Sequence, residues 1–576
     1  MRRQRHAHIP PPAVTTAPEA AIAPPWSSRE WGIVAALVAL TVIVFGQLFR
    51  HEFLFGDDAL FRAPLLWQPL TTLTFFGRNA AAQLLLNLVL HAASSALLFV
   101  AMRKLTGALG RSAFVAALFA LHPMHVETVA RLAERKQLLA TLFAMLALLA
   151  YSYRRLALVT VAFAASLLSD PTYVALPLIL LLLDWWPLAR LRAERDLRPL
   201  LTEKLPLFAL SIAGAVVAIV SGWRSQPFPN AIASYVRFLG RFFAPTGLAM
   251  PYPMMTIDRG TVGGALALLV LISFAAIAFR RSVPWLTAGW FWFVIALTGA
   301  QSFADRYSYF SYIGLSIILA WAGALLLPRA IAIGGAALVV IACAIVSFQQ
   351  TAYWQNSETL YTHTIEVTPP NADAEYALGA SLRSTDNDRA IEHLQRGIEL
   401  AAYSMRTNHT ERPSWFAQAH VDIAGAFIAK GEKEPSGAER TNLLQGAIGA
   451  SRRALAVDSK IGGARELIAR AEKLIAADPH AERDSHLNAG TMLSQQGRFP
   501  DAVAEFRKAV AAERNSVDAH VYLALGMLQA NMKDEARNEF AAAKTLDAGA
   551  ANEVLTKALQ MPPSPANFDS FVARIR

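Results

Sequence analysis

Long apolar runs alternate with short charged segments in the first 350 residues, and this alternation predicts a membrane domain. A hydrocarbon core about 30 Å thick is crossed by roughly 20 apolar residues in a helix. Eleven runs approach that length and carry charges only near their ends; they lie at 31–49, 82–102, 112–122, 136–153, 156–169, 172–189, 204–221, 261–279, 283–300, 308–327 and 330–348. We therefore expect an all-α, polytopic helical domain over 31–348, preceded at 1–30 by a disordered cytoplasmic segment rich in Arg, Pro and Ala.

A polar, helical pattern follows the last apolar run and repeats about every 34 residues. The recurring set has a small, a large and a small residue at spacings of four and three: Ala502, Phe506 and Ala509, then Ala536, Phe540 and Ala543. This pattern resembles the tetratricopeptide (TPR) repeat, in which small residues let two antiparallel helices cross closely. We expect a linker at 349–371, a protein-binding TPR solenoid at 372–560 and a C-terminal tail at 561–576. An Ala-rich helical bundle without a groove is the alternative.

Composition and charge narrow the class of protein. The chain is 54% hydrophobic and only 17% charged, which excludes a simple soluble enzyme. Residues 1–369 contain 28 basic and 16 acidic residues, whereas 370–576 contain 25 and 27, so the two parts carry +12 and −2. With a cytoplasmic N-terminus, the basic excess falls in loops on the inner side, which is the positive-inside pattern and requires no nucleic-acid partner. We expect a multi-pass protein of the inner (cytoplasmic) membrane whose repeats are extracytoplasmic, in a bacterium periplasmic.

Ionisable residues beside spanning helices are energetically costly and are therefore candidates for function. Counting spans from a cytoplasmic N-terminus places one group of them on the outer face: Asp57, Asp58, His122, His125, Glu127, Asp170, Asp305 and Arg306. Asp184, in LLLLDWWPLAR, falls instead near the inner interface, and we interpret it as an interfacial acid beside the two tryptophans. The functional hypothesis rests on the outer-face group.

Three kinds of chemistry could use the outer-face group. A carboxylate there can act as general base toward an acceptor hydroxyl while cations stabilise a departing phosphate, as in glycosyl transfer from a lipid-linked sugar. His122, His125 and Glu127 could bind a metal, but their order, H-x-x-H-x-E, lacks an i, i+4 histidine pair. A transporter or flippase of lipid-linked sugars is the third interpretation, although its charges are expected near the membrane midplane and not at one face.

The motifs of this chain follow one another in the order typical of one family. After the paired acids Asp57 and Asp58 come WQPLTTLTF, NLVLH, ALFALHPMHVETVARLAERKQLLATLFAMLALLAY, LPLILLLLDWWPL, FFAPTGLAMPYP, ADRYSYFSYIGL and YWQNSETLYTHTIEVTP, and then the repeats. Over about residues 31–547, the chain resembles the transmembrane-and-TPR proteins. The animal members of that family are protein O-mannosyltransferases, and it has many bacterial members.

The resemblance implies a fold, a reaction and roles for individual residues. The implied fold is that of the C-type (GT-C) glycosyltransferases. The implied enzyme moves a mannose-like hexose, with inversion, from a polyprenyl-phosphate donor in the membrane lipid to Ser or Thr of a protein acceptor that the TPR domain selects. One of Asp57 and Asp58 would be the general base, and the other would orient the hydroxyl or help to hold a phosphate through a divalent metal, for which no ligand set is assigned.

The same resemblance assigns the remaining polar residues. The implied donor-phosphate ligands are Arg135, Lys136 and Arg306, because guanidinium and ammonium groups bind phosphate oxygens. The supporting polar face consists of His122, His125, Glu127, Arg131, Glu134, Asp170, Asp305 and Tyr307.

Two departures from the family pattern support a second hypothesis. Bacterial relatives usually have lysine where this chain has Asp170, and the segment between Trp67 and Asn87 is shortened and lacks a histidine pair before NLVLH. A membrane-anchored TPR scaffold that keeps the fold without catalysis is therefore the alternative function.

Overall fold

The computed structural model describes residues 27–61, 68–221, 228–253, 257–299, 303–407, 410–435, 437–478 and 480–559, and every regular element within them is a helix. The all-α fold class is thus confirmed. The chain divides into a first unit, Met1–Leu248 with Ile257–Asn356, and a second unit, Ala249–Thr256 with Ser357–Arg576. Of the segments predicted to be disordered or a tail, residues 1–26 and 561–576 lie outside the described residues.

The first unit is built from α-helices joined by short loops and 3₁₀ turns. In its described part the α-helices are α1 (Ser28–Phe45), α2 (Pro69–Thr72), α3 (Ala80–Thr106), α4 (Leu109–Leu121), α5 (Val126–Ala130), α6 (Arg135–Ser152), α7 (Leu156–Ser169), α8 (Leu176–Trp185), α9 (Glu194–Glu203), α10 (Leu205–Val220), α11 (Phe228–Phe243), α12 (Arg259–Ala278), α13 (Pro284–Ala296), α14 (Ser308–Leu326) and α15 (Arg329–Ala352).

A helix occupies each of the eleven predicted apolar runs, but these helices differ in length. Within the described residues, five are long and apolar enough to cross a membrane: α1 with the turn that extends it, α3, α12, α14 with the turn before it, and α15. Two bent pairs, α4 with Pro123–Ala130 and α9 with α10, raise the number to seven if each pair is one span. The first unit is therefore compatible with a multi-pass membrane domain, while the count of eleven spans stays a prediction.

Two glycines bring α13 and α14 into backbone contact. A Cβ atom built on Gly314 would lie 2.2 Å from the carbonyl oxygen of Gly289, and one built on Gly289 would lie 2.5 Å from that of Gly314. Small residues at helix crossings are typical of membrane helix packing, where close approach replaces the hydrophobic effect as the source of stability. Close after Gly289, α13 contributes the buried side chains of Trp290 and Phe293 to the core.

The second unit is a succession of helices in which most neighbours in sequence pack against each other. In its described part they are α16 (Ser357–Val367), α17 (Ala372–Leu382), α18 (Asn387–Thr407), α19 (Phe416–Gly431), α20 (Ala438–Val457), α21 (Ala464–Ala476), α22 (Ala481–Gln495), α23 (Phe499–Ala512), α24 (Val517–Gln529), α25 (Lys533–Leu546) and α26 (Ala548–Leu559). The segment 349–371, predicted as a linker, contains the end of α15 and all of α16.

Phe506 explains the repeated small–large–small pattern in physical terms. Its side chain, in α23, is only 2% exposed. A Cβ atom on Gly490 of α22 would lie 2.4 Å from the Phe506 ring, and one on Gly526 of α24 would lie 2.7 Å from it. The large residue of the set therefore fills a gap that the two glycines leave between three consecutive helices.

We expect Gly490→Ala to destabilise α22–α24 by about 1 to 3 kcal/mol, since the added methyl group must displace a ring that is held on both sides. Gly425→Ala is the matched control, because Gly425 has the same place in its repeat but nothing within 4 Å of the position that a Cβ atom would take. Alanine there should be neutral or stabilising by up to about 1 kcal/mol. Hydrogen exchange of both helix sets in the full-length protein would measure the two effects, and equal effects would contradict this packing.

Candidate functional site

Charged side chains of the first unit gather at two opposite ends of its packed helices. The Glu127 cluster comprises Glu127, Arg131, Glu134, Lys136, Asp170 and Arg306, and the Asp184 cluster comprises Tyr151, Asp184, Arg190, Glu203 and Lys204. Helix α6 joins the two, with Lys136 in its first turn and Tyr151 in its last, about 22 Å apart along the axis. The residues between these two are uncharged and mostly apolar.

The segment HPMHVETVARLAERK forms the Glu127 cluster because it does not continue as one straight helix. Pro123 begins a 3₁₀ turn after α4, the short α5 follows, and a second 3₁₀ turn, Leu132–Glu134, leads into α6. The chain bends by 51° between α4 and Pro123–Ala130. These breaks place Glu127 and Glu134 on the same side, where both face the turn that precedes α14.

Arg306 is the centre of the Glu127 cluster. Its guanidinium donates to Oε1 of Glu127 at 2.6 Å, and its Nε lies 3.4 Å from Oε1 of Glu134. The backbone N–H of Arg306 also donates to Oε2 of Glu127 at 3.1 Å. Arg131, at the rim, donates to Glu134 at 3.3 Å. The cluster holds three acids and three bases and is neutral as a whole.

Lys136 differs from the other cations of the cluster. It is half-buried and within electrostatic range of Glu134, Asp170 and Arg306. Within the described part of the chain, its ammonium group makes neither a hydrogen bond nor an ion pair closer than 4 Å. A partly desolvated cation in this state can bind an anionic group without first breaking an internal ion pair.

Asp170 occupies the end of α7 and shapes the chain locally. Its Oδ1 accepts hydrogen bonds from the backbone N–H of Thr172 at 3.0 Å and from the Thr172 hydroxyl at 2.8 Å. These bonds hold the turn that leads into α8. Asp170 therefore belongs to the same end of the helices as Lys136, as the sequence suggests, but at least one of its oxygens is used by the fold.

Arg135 does not fit its predicted role as a donor-phosphate ligand. Its side chain is fully buried, and it makes four internal hydrogen bonds. They are donated to the side chain of Asn87, the carbonyl of Thr74, and the side chain and carbonyl of Gln83. These bonds hold the start of α6 against Thr74, which precedes α3, and against Gln83 and Asn87 of α3. Of the two adjacent cations at the start of α6, Lys136 is the one that faces the cluster.

His122 and His125 are not part of the polar face predicted for them, because both are buried among aromatic rings. The His122 ring stacks on Phe242 at 5.4 Å, and its Nε2 lies 3.1 Å from the carbonyl oxygen of that residue. His125 Nδ1 lies 2.8 Å from the carbonyl oxygen of Phe119, and its ring packs edge-on against Tyr309. Within the described residues, no three His, Cys, Asp or Glu side chains are placed to hold a metal ion.

The paired acids lie beside the Glu127 cluster. Asp57 begins the 3₁₀ turn Asp57–Phe61, which packs against Leu132–Glu134. The buried Asp57 carboxylate accepts the backbone N–H of Leu54 at 3.0 Å and so holds its own turn. Asp58 follows in the same turn, and its side chain lies outside the described residues.

The ADRY segment contributes ion pairs to two separate groups of residues. Asp305 does not pair with Arg306 but accepts a hydrogen bond from Arg241 of α11 at 2.6 Å. Tyr307 lies against the Arg306 guanidinium, 5.0 Å from its ring centre. The sequence did not reveal Arg241, because an arginine in an amphipathic helix gives no sign of a partner 64 residues away.

The sequence suggests that Asp184 is an interfacial acid, but the structure places it at the centre of a buried cluster. Asp184 and Lys204 are both fully buried, with Lys204 Nζ donating to Oδ2 of Asp184 at 2.5 Å. Oδ1 of Asp184 accepts from Tyr151 at 2.6 Å and from Arg190 at 2.9 Å. One signal could have revealed the pair: an acid ends one apolar run, and the next apolar run begins at a lysine.

The structure therefore brings together, at one end of the first unit, residues that are far apart in sequence: the Asp57 turn, Lys136, Asp170 and Arg306. No protein-family model matches this chain, and no curated protein matches it. The Glu127 cluster, with the Asp57 turn beside it, is therefore the candidate functional site.

Proposed function

We propose that the chain is a membrane glycosyltransferase of GT-C architecture, with eleven spans and a TPR domain. It would move a mannose-like hexose from a polyprenyl-phosphate donor to Ser or Thr of a protein on the extracytoplasmic side of the inner membrane. Lys136 carries this proposal, because within the described residues this half-buried cation makes no direct ion pair, and it closely follows Leu132–Glu134, the turn that packs against the Asp57 turn. An anionic donor headgroup would complete its environment.

The proposed reaction assigns each step to a named group. The acceptor hydroxyl oxygen attacks the anomeric carbon of the sugar, the bond from that carbon to the phosphate oxygen breaks, and polyprenyl phosphate leaves. A carboxylate of the Asp57–Asp58 pair takes the hydroxyl proton as general base. Lys136 stabilises the negative charge that develops on the departing phosphate, assisted by Arg306. The proposal uses no metal.

The second unit supports the TPR part of the proposal through two equivalent contacts between helices. His486 Nδ1 lies 2.7 Å from Oε2 of Glu505, and His520 Nδ1 lies 2.6 Å from Oε2 of Glu539. Each residue of the second pair is 34 positions after its counterpart in the first. Equivalent side-chain pairs at the TPR period are expected when the same two-helix element is repeated and stacked. Such a stack would select the acceptor.

A non-catalytic scaffold remains the second candidate, and a specific observation favours it. Two of the three cations predicted to bind the donor phosphate have internal partners. Arg135 donates hydrogen bonds to backbone and side-chain acceptors, and Arg306 forms ion pairs with Glu127 and Glu134. A neutral cluster in which Arg131 and Arg306 pair with Glu127 and Glu134 can act as a structural connection between α5, α6 and α14 without any ligand.

The test is a comparison of glycopeptides from cells that carry the intact protein or Lys136→Gln. We expect the substitution to lower occupancy of the dependent sites about 10-fold to 100-fold, because a hydrogen bond to a charged group contributes about 1.5 to 3 kcal/mol. Lys104→Gln is the matched control, since Lys104 lies against the ring of Tyr153 near the other end of α6. It should leave occupancy unchanged.

A second arm tests the base. Asp57→Asn/Asp58→Asn should lower the same glycopeptides as Lys136→Gln. If neither variant changes any glycopeptide although both insert normally in the membrane, the enzyme proposal is wrong and the scaffold is favoured.

A further inference from the structure

Helix α9 has a surface that neither the Glu127 cluster nor the proposed reaction uses. Leu200 is buried, whereas Leu197 and Leu201 are 41% and 37% exposed. Directly after α9 the chain turns by 61° into α10. A short helix that is anchored by one leucine and exposes two others, next to a long apolar helix at a steep angle, has the form of an interfacial helix.

Two of the three acids between 190 and 204 make hydrogen bonds or ion pairs within this segment. Oδ2 of Asp196 accepts the backbone N–H groups of Arg192 and Ala193. Glu203 pairs with Arg190 and Lys204 in the Asp184 cluster. Glu194, exposed in the first turn of α9, is the remaining acid between 190 and 204.

The two arginines of α9 differ from these acids. Arg195 and Arg198 are exposed and, within the described residues, their side chains make no hydrogen bond or ion pair. Around the helix they are about 60° apart, and Leu201 follows about 60° further on, so the basic side adjoins the apolar side. The stretch 190–204 contains five basic and three acidic residues, a net charge of +2.

Aromatic residues at the same end of the first unit indicate headgroup depth. The Arg111 guanidinium lies over the ring of Trp321 at 4.9 Å, and Trp321 packs edge-on against Trp186 near the end of α8. Tryptophan and cation pairs of this kind are typical of the membrane interface. Asp184 is two residues before Trp186, so the Asp184 cluster, which anchors α9, is at this end of the helices as well.

We propose that α9 binds the headgroups of anionic phospholipids, with Arg195 and Arg198 contacting the phosphate and Leu197 and Leu201 inserted among the upper acyl chains. Charge complementarity favours an anionic over a zwitterionic lipid, since each cation near an anionic surface contributes about 1 kcal/mol. This site is at the opposite end of α6 from Lys136 and does not depend on the proposed glycosyl transfer.

The experiment measures binding of phosphatidylglycerol to the full-length protein in a neutral detergent, by native mass spectrometry. We expect the intact protein to retain phosphatidylglycerol in preference to phosphatidylcholine, and Arg195→Gln/Arg198→Gln to weaken retention at least about tenfold, since about 1 kcal/mol per arginine is about fivefold each. Arg280→Gln/Arg281→Gln, which removes two exposed arginines between α12 and α13, is the matched control and should have little effect.

Three outcomes would overturn the proposal. Equal losses in both double variants would show diffuse charge attraction and no site on α9. Equal retention of phosphatidylcholine would show that the headgroup charge is irrelevant. Displacement of the lipid by inorganic phosphate at the same concentration would show a phosphate site without a requirement for lipid.

Discussion

Gly314→Ala is expected to destabilise the first unit by more than about 3 kcal/mol, above the usual range for an overpacked site. The added methyl carbon would lie 2.2 Å from the carbonyl oxygen of Gly289 and 2.8 Å from the backbone nitrogen of Phe293. Neither atom belongs to a flexible side chain, so relief requires α13 and α14 to separate. Separation would expose the buried face around Trp290 and Phe293 and lose dispersion contacts along both helices.

Gly323→Ala provides the control for this prediction. Gly323 lies in the same helix, α14, and nothing is within 4 Å of a Cβ atom there. Its replacement should change stability by no more than about 1 kcal/mol, in the stabilising direction, because alanine favours the helix. The measurement is the thermal midpoint of the detergent-solubilised protein by size-exclusion fluorescence. Similar midpoints for the two variants would contradict the close helix crossing.

Asp184→Leu is expected to cost about 3 to 5 kcal/mol, because it leaves Lys204 buried without its nearest carboxylate. Of the partners left to that ammonium, the Glu203 carboxylate is 3.4 Å away and the Leu200 carbonyl 3.5 Å, whereas Asp184 is at 2.5 Å. The substitution also removes the acceptor of Tyr151 and Arg190. The effect should therefore exceed that of removing an exposed ion pair several-fold.

A double-mutant cycle separates the buried charge from the lost contacts. Lys204→Met should cost less than Asp184→Leu, since Asp184 keeps Arg190 and Tyr151 as partners. The double variant should be more stable than Asp184→Leu alone, because a buried ion pair replaced by apolar groups is often neutral. Additive costs, measured as thermal midpoints in detergent, would show that the two charges do not interact.

Helix positions in the first unit could be predicted from the sequence because each run is mostly apolar and its charged residues lie near its ends. The lengths of individual helices could not, since Pro, Gly and tertiary contacts shorten some of them. α13 is one such helix, and it ends at Ala296 although its apolar run continues. Composition alone gives no measure of such breaks, which is why the all-α class follows from the sequence more directly than the number of spans.

In the Glu127 cluster, counting spans predicts Glu127, Asp170 and Arg306, because it sorts side chains by helix end. The family resemblance assigns Arg131, Glu134 and Lys136. Counting does not give the direction of a side chain around its helix. Arg135 and Lys136 are neighbours in sequence, yet Arg135 is turned toward Asn87 and Gln83, while Lys136 is turned toward Glu134 and Asp170. One residue is about 100° of helix rotation, enough to direct one side chain into the protein interior and the next toward the cluster.

Helix α6 has a further consequence for the membrane itself. The roughly 22 Å of helix between Lys136 and Tyr151 is shorter than an average hydrocarbon core of about 30 Å. If α6 crosses a bilayer of that thickness, as the run 136–153 predicts, either the lipids around it thin or one polar end draws water below the headgroups, at fractions of a kcal/mol per Å of mismatch. Bilayer thickness would then be one of the variables that set the stability of the first unit.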